Sequence, residues 1–187
     1  QQSIQKALRS LETGHSGFED SRGKFSQCDD VKLEEELRHP GPARLFYIRE
    51  ALIRGWDIEK IFEATKVDRW FLKQLAELIE FEDEIRSVGS IDALTQDPAL
   101  FQQAKELGYS DRQIAELLNC SEDLVRTQRL QAGLNPSYAL VDTCAAEFKA
   151  FTPYFYSTWS NAPDLSDLPQ SEQRKKKIMI LGGGPNR

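Results

Sequence analysis

The chain has 187 residues, 40% of them hydrophobic and 29% charged, with a net charge of −6 at neutral pH. That length suits one domain with appended pieces and a sizeable core, and the composition is that of a globular protein. The acidic balance argues against a nucleic-acid binder, no run of 18 apolar residues offers a membrane span, and no signal-peptide core is visible near Gln1. Cys28, Cys120 and Cys144 are odd in number and far apart, which favours reduced thiols in a cytosol-like compartment. Together with His15 and His39 they show no metal-ligand spacing.

Residues 1–12 are predicted to form a short helix, apolar at Ile4, Ala7, Leu8 and Leu11 and stopped by Gly14. Thr13 to Asp30 is polar, holds three glycines and has no periodicity, so it reads as a loop or linker. Helix returns from Val31 to Arg38 and is broken by His39-Pro40-Gly41-Pro42.

From Ala43 to Ala132 the chain repeats itself with an offset of 53 residues. GWDIEKIFEATKVDRWFLKQ from Gly55 matches GYSDRQIAELLNCSEDLVRT from Gly108. The glycine ends a helix, and Trp56 or Tyr109 packs at the corner. Asp57 or Ser110 caps the next helix, and Ser110 with Gln113 fits a capping box. Asp68 or Ser121 caps the third, with Val67–Leu72 or Cys120–Val125 at hydrophobic-staple positions. Each unit is helix, corner, short helix, turn, helix.

The helix from Arg69 to Ser87 is expected to turn Phe71, Leu72, Leu75, Leu78 and Ile79 inward and to solvate the cluster Glu80, Glu82, Asp83 and Glu84. Asp97-Pro98 opens another helix that Gly108 closes. Past Gly133, Asn135 and Pro136, the segments Tyr138 to Asp142 and Tyr154 to Trp159 look extended, as a short strand pair. Ser160 to Gln173 has the composition of a linker. The fold class is therefore all-α: a helical bundle built from two similar three-helix units, with a short extended C-terminal segment.

Three constellations look like chemistry and are better read as structure. Tyr109 to Gln131 has the shape of a DNA-binding helix-turn-helix, with Arg126 and Arg129 on its second helix. Ala104 to Gly133 carries four basic and five acidic residues, however, too even a balance to neutralise several phosphates. Gly182 to Pro185 offers backbone N–H groups to an anion but no helix behind them, which is a weak signal. Asp142, Thr143, Cys144 and Glu147 set a thiol among carboxylates, yet no histidine adjoins it in sequence to activate it. No catalytic, cofactor-binding or metal-binding residue is assigned.

VDTCAAEF at 141–148, YFYSTW at 154–159, a polar linker and KIMILGGGPNR at 177–187 follow one another in an order that carries a resemblance. This arrangement resembles the large subunit of carbamoyl phosphate synthase, where a central helical oligomerisation domain hands over to the second synthetase half. SIQKALRSLETG at 3–14 is similar to the last helix of the first ATP-grasp half. The resemblance implies four parts: residues 1–14 as the tail of that half, 15–160 as the helical oligomerisation domain, 161–174 as a linker, and 175–187 as the first strand of the second half, cut short.

The function it implies is non-catalytic bridging within an ATP-dependent ligase that serves arginine and pyrimidine biosynthesis. The parent would make carbamoyl phosphate from bicarbonate, glutamine-derived ammonia and two ATP, with ATP and magnesium or manganese bound outside this chain. Implied partners are the remaining large-subunit domains, a glutaminase small subunit and other large subunits, with no nucleic acid and no membrane; the implied location is the cytoplasm, or an organelle in a eukaryote. The alternatives are a helix-turn-helix-like nucleic-acid-binding or protein-binding module, and a self-contained small enzyme with a polar pocket. The residues expected to pack between domains are Asp142, Thr143, Cys144, Glu147, Tyr154, Tyr156 and Trp159. Strand alternation points Tyr154, Tyr156 and Thr158 one way and Phe155, Ser157 and Trp159 the other. One face would pack on the helices and the other on a second surface.

Overall fold

The computed structural model describes residues 1–11, 13–20, 23–145, 147–148 and 154–160. Nine helices are present among them: α1 (Gln2–Ser10), α2 (Asp30–Arg38), α3 (Arg44–Ile53), α4 (Ile58–Thr65), α5 (Arg69–Val88), α6 (Ile91–Thr95), α7 (Pro98–Glu106), α8 (Asp111–Leu117) and α9 (Glu122–Gln131). Two short strands, β1 (Ser137–Leu140) and β2 (Phe155–Thr158), pair antiparallel after the helices. The all-α class expected from the helical stripes is the one found.

Local chemistry explains where the helices begin. Asp57, Asp97, Ser110 and Ser121 each accept a hydrogen bond from a backbone N–H three residues on. Asp68 accepts from Trp70 N at 2.8 Å. Ser110 and Gln113 form the capping box in both directions.

Corresponding backbone features stand 53 residues apart. Trp56 N donates to the Ala51 carbonyl and Tyr109 N to the Ala104 carbonyl, both at 3.0 Å. Lys66 and Asn119, two non-glycine residues, both sit in the left-handed region, at φ 56° and 51°. Gly55 and Gly108 precede the two corners with φ 79° and 95°. Gly108 is also sterically required, because a Cβ there would lie 2.8 Å from the Cα of Gln2. At the corners themselves Trp56 is half-buried and Tyr109 is fully buried.

Packing joins these pieces into one continuous core. α2 lies against α3 and α4, α4 and α3 against α5, and α8 against both α5 and α9, while α6 touches α5, α7 and α9. Leu33, Leu37, Ile61, Leu72, Leu75, Leu78, Ile85, Phe101, Ile114 and Val125 form its centre. Each such side chain contributes about 1.5–3 kcal/mol by leaving water.

Three sequence expectations are corrected by this packing. In its described residues the polar stretch that starts at Thr13 is a loop as far as Asp29, but it is built into the core, with Phe18 and Phe25 buried. Phe18 N donates to Gln5 Oε1 at 2.6 Å and Phe18 C=O accepts from Arg49 Nε at 3.1 Å. Asp20 accepts from Lys24 N and Phe25 N, and Phe25 stacks on Phe46 with ring centres 5.0 Å apart. Side chains thus satisfy the loop's backbone, which leaves no periodicity to detect.

Glu82 is the second correction. It is not part of a solvated acidic face: its side chain is 3% exposed and lies 2.5 Å from Arg49 Nη2, with Arg86 Nη2 at 3.2 Å. Residues 75, 78, 82 and 85 continue one helical stripe, so the spacing placed Glu82 inward while its charge suggested outward. Burial pushes the Glu82 carboxyl above the usual carboxylate range, and the two arginines pull against that shift. Phe71 is the third, for it stands half in solvent while Leu72, next to it, is buried.

Removing one partner of a buried ion pair leaves the other charge unpaired. Glu82→Leu should therefore destabilise the chain by about 3–5 kcal/mol, and Arg49→Met added to it should recover part of that loss. Thermal unfolding of the two variants measures this; a double variant no more stable than the single one would show that the pair is not the source.

Candidate functional site: a hairpin fastened to the helical body

Gly133, at φ 73°, ends α9, and Leu134 N closes back on the Arg129 carbonyl at 3.0 Å. The chain then runs into β1, whose register with β2 pairs Ser137 with Thr158, Tyr138 with Ser157, Ala139 with Tyr156 and Leu140 with Phe155. Val141 N adds one more rung to the Tyr154 carbonyl at 2.8 Å.

A two-stranded ribbon is marginal by itself and needs something to lean on. Here the support is polar. Lys105, buried on α7, donates to Asp111 Oδ1 at 2.7 Å and to the Tyr109 carbonyl at 2.6 Å. Arg129, buried on α9, reaches both Asp111 oxygens at 3.1 Å and the Leu134 carbonyl at 2.6 Å. The Trp159 ring covers these two cations, 4.8 Å from Lys105 Nζ and 5.1 Å from the Arg129 guanidinium. Gln102 Nε2 holds the Trp159 carbonyl at 2.7 Å, and Lys6 Nζ from α1 donates to the carbonyl and hydroxyl of Ser157 at 2.9 and 3.1 Å. Burial lowers the Lys105 ammonium below the usual lysine value, and Asp111 opposes that shift.

The first copy of the helical unit carries Leu52, Ile58 and Ala76 where the second carries Lys105, Asp111 and Arg129. The unit therefore folds with apolar residues at these positions. The buried charges belong to the fastening of the hairpin.

Exposure does not divide between the two faces of β2 as strand alternation predicts. It divides along its length. Thr158 is buried and Ser157 and Trp159 half-buried at the root, while Tyr154 (63% exposed), Phe155 (43%) and Tyr156 (50%) stand out on both faces beyond it. The ties from the helical body reach Ser157 and Trp159, at that root. Tyr138 on β1 and Phe148 past the turn are exposed as well.

The remaining residues singled out in the sequence form the turn after β1. Asp142 Oδ1 accepts from Cys144 N at 3.0 Å, Thr143 Oγ1 lies 3.8 Å from Cys144 Sγ, and Glu147 N donates to the Cys144 carbonyl at 3.0 Å. Asp142, Thr143 and Glu147 are exposed and Cys144 is half-buried. Gly182 to Pro185, the linker at 161–174 and the strand expected at 175–187 lie outside the described residues. The contribution of Lys6, Gln102, Lys105 and Arg129 was not anticipated; the mismatch between charged and apolar residues at equivalent repeat positions was the available signal.

A cavity of about 710 Å³ opens beside Arg49, Glu82, Arg86, Tyr109, Arg112 and Glu116. Its polar groups are tied to one another, Glu82 to Arg49 and Arg86, and Arg112 to Glu116. Among the described residues no three His, Cys, Asp or Glu side chains cluster to hold a metal, and no helix is long and apolar enough to cross a membrane. The helix-turn-helix alternative is not favoured: of its two arginines on α9, Arg126 is exposed but Arg129 is buried on Asp111 and cannot meet a phosphate.

Residues 1–133 match the family model described as carbamoyl-phosphate synthetase large chain, oligomerisation domain. The chain belongs to that family. The whole chain aligns with the carbamoyl phosphate synthase large chains of Archaeoglobus fulgidus and Rhodopirellula baltica, each at 44% identity. It aligns at 43% identity with the arginine-specific, chloroplastic large chain of Arabidopsis thaliana. It spans 17% of the length of the first two relatives and 15% of the third. The family match takes in α1 to α9 and stops short of β1, whereas the alignments with the large chains run on across the hairpin. The hairpin is nonetheless fastened to α1, α7 and α9.

A tryptophan over two partly desolvated cations contributes up to about 2 kcal/mol for each contact. Trp159→Ala should speed hydrogen exchange at the amides of 137–140 and 155–158 while exchange in α5 stays slow. Equal acceleration in both places would show that the hairpin and the body open as one unit.

Proposed function

We propose that this chain is a non-catalytic joint in a carbamoyl phosphate synthase large chain, with the free end of the hairpin as a surface that meets neighbouring parts of the enzyme. The carrying observation is the set of exposed rings along the hairpin, Tyr138, Phe148, Tyr154, Phe155 and Tyr156, on a ribbon whose root is firmly held. So much exposed aromatic surface on one short ribbon marks an interaction site. Each ring covered by a partner gains about 2 kcal/mol. Asp142, Thr143, Cys144 and Glu147 form the rim of that surface in this reading, and Trp159 anchors it.

On the same reading residues 1–14 continue from a preceding ATP-grasp half, 15–160 form the joint, 161–174 link onward, and 175–187 begin the second half. The whole enzyme would make carbamoyl phosphate from bicarbonate, glutamine-derived ammonia and two ATP. ATP and magnesium or manganese would be held by other segments of the large chain. Its partners would be those segments, other large chains and a glutaminase subunit, in the cytoplasm or in an organelle. The resemblance of VDTCAAEF and YFYSTW, the family match and the exposed rings support this.

Replacing Tyr154 and Tyr156 by serine should raise the solubility of the isolated chain and leave its helical content intact. In a full-length large chain carrying this segment, the same pair should lower the melting temperature and the activity together. If the double variant unfolds the isolated chain, the two rings hold this domain together and do not join it to others.

A further inference from the structure

We infer that Trp70 and Phe71, in the first turn of α5, form a second docking face that receives another segment of the same large-chain polypeptide; this rests on the reading of the chain as a joint between larger parts. The rings meet edge to face, with centres 5.0 Å apart at 84°, and remain 60% and 50% exposed. Their backbone is not free to hide them, because the Asp68 cap fixes the turn and Leu72 beside them is buried.

The second copy of the unit serves as an internal control. In the first turn of α9, 53 residues further on, Asp123 and Leu124 stand in place of Trp70 and Phe71. The turn is capped there by Ser121, which accepts from Leu124 N, and Val125 is buried as Leu72 is. A carboxylate thus suffices where the first copy exposes an indole, so folding of the unit does not call for the aromatic pair.

The surroundings of the pair narrow down its occupant. Arg69 is paired with Glu59 at 2.7 Å and Lys66 with Glu63 at 2.6 Å, so neighbouring charges are balanced. Balanced charge suits neither a nucleic acid nor an anionic membrane, and fits an apolar hollow with a polar edge. The exposed area of the two rings is roughly 250 Å². A stable interface between separate chains buries about 800 Å² on each partner. The pair alone is too small for that, but a tethered segment arrives at an effective concentration near the millimolar range and needs far less surface. With the chain spanning 17% of its relatives' length, tethered polypeptide is the partner at hand.

Hydroxyl-radical footprinting, read by mass spectrometry, compares the isolated chain with a full-length large chain carrying it. Oxidation of Trp70 and Phe71 should fall about tenfold in the full-length protein, as for rings passing into the buried centre of an interface. Trp70→Asp, which installs the residue of the second copy, should shift the melting temperature of the isolated chain by less than about 2 °C and lower that of the full-length chain by more. If Trp70 stays fully oxidised while Tyr154 and Tyr156 are protected, this inference fails and the hairpin reading stands. If all of these rings stay oxidised, both fail. An isolated chain that sediments as a dimer, and becomes a monomer with Trp70→Asp, would make the face a contact between copies and overturn docking within one polypeptide.

Discussion

Asp111 holds two buried cations, and much of the molecule hangs on that arrangement. Lys105 and Arg129 come from different helices, α7 and α9, and both end on this one carboxylate at the start of α8. Buried charges are costly unless paired and fully hydrogen-bonded, and here the Tyr109 and Leu134 carbonyls supply the additional acceptors. The same corner receives α1, through Arg9 Nη1 on the Gly108 carbonyl at 2.7 Å, and the hairpin, through Trp159. Tyr109, buried in its midst, extends its hydroxyl to the Leu78 carbonyl of α5. One turn of chain thus gathers both ends of the described fold and its longest helix.

The two copies of the helical unit show how such a corner can be specialised. Their caps and left-handed residues coincide, so the backbone is specified by the same few devices in each. They differ in what lies on top of that backbone. One copy places apolar Leu52 and Ile58 where the other places Lys105 and Asp111, and it shows solvent an indole where the other shows a carboxylate. Apolar residues at the first set of positions are the cheaper choice for stability alone. The ion cluster supplies direction instead: a cation pair at fixed positions receives one ring in one orientation, which sets where the hairpin points.

This division suits an oligomerisation domain whose relatives are much longer chains. A body with a single core and buried polar ties holds its shape, and apolar rings are left at two separate places on it, the hairpin tip and the start of α5. The fastening of Ser157 by Lys6, 151 residues away in sequence, also keeps the first helix beside the second strand. α1 and β2, far apart in sequence, thereby lie side by side.

Most of the helices and caps were legible in the residues, because each rests on contacts within a few positions: Ser110 with Gln113, Asp97 with Leu100, Gly133 ending α9; the short α6 with its Ser90 cap was not foreseen. The motifs at 141–148 and 154–159 carried the family, since their order and residue types are specific. Tertiary structure alone decided the rest. Phe18 and Phe25 are core residues of a loop without periodicity, because their backbone partners, Gln5, Arg49 and Asp20, lie on other elements or in the loop itself. Glu82 is inside because Arg49, 33 residues earlier, is there to meet it. Trp159 is an anchor because two buried cations await it, while Tyr154 and Tyr156, only a few residues earlier, are left uncovered. A residue's type and spacing express its local preference; whether a charge is buried or a ring covered depends on what the fold brings to it from far along the chain.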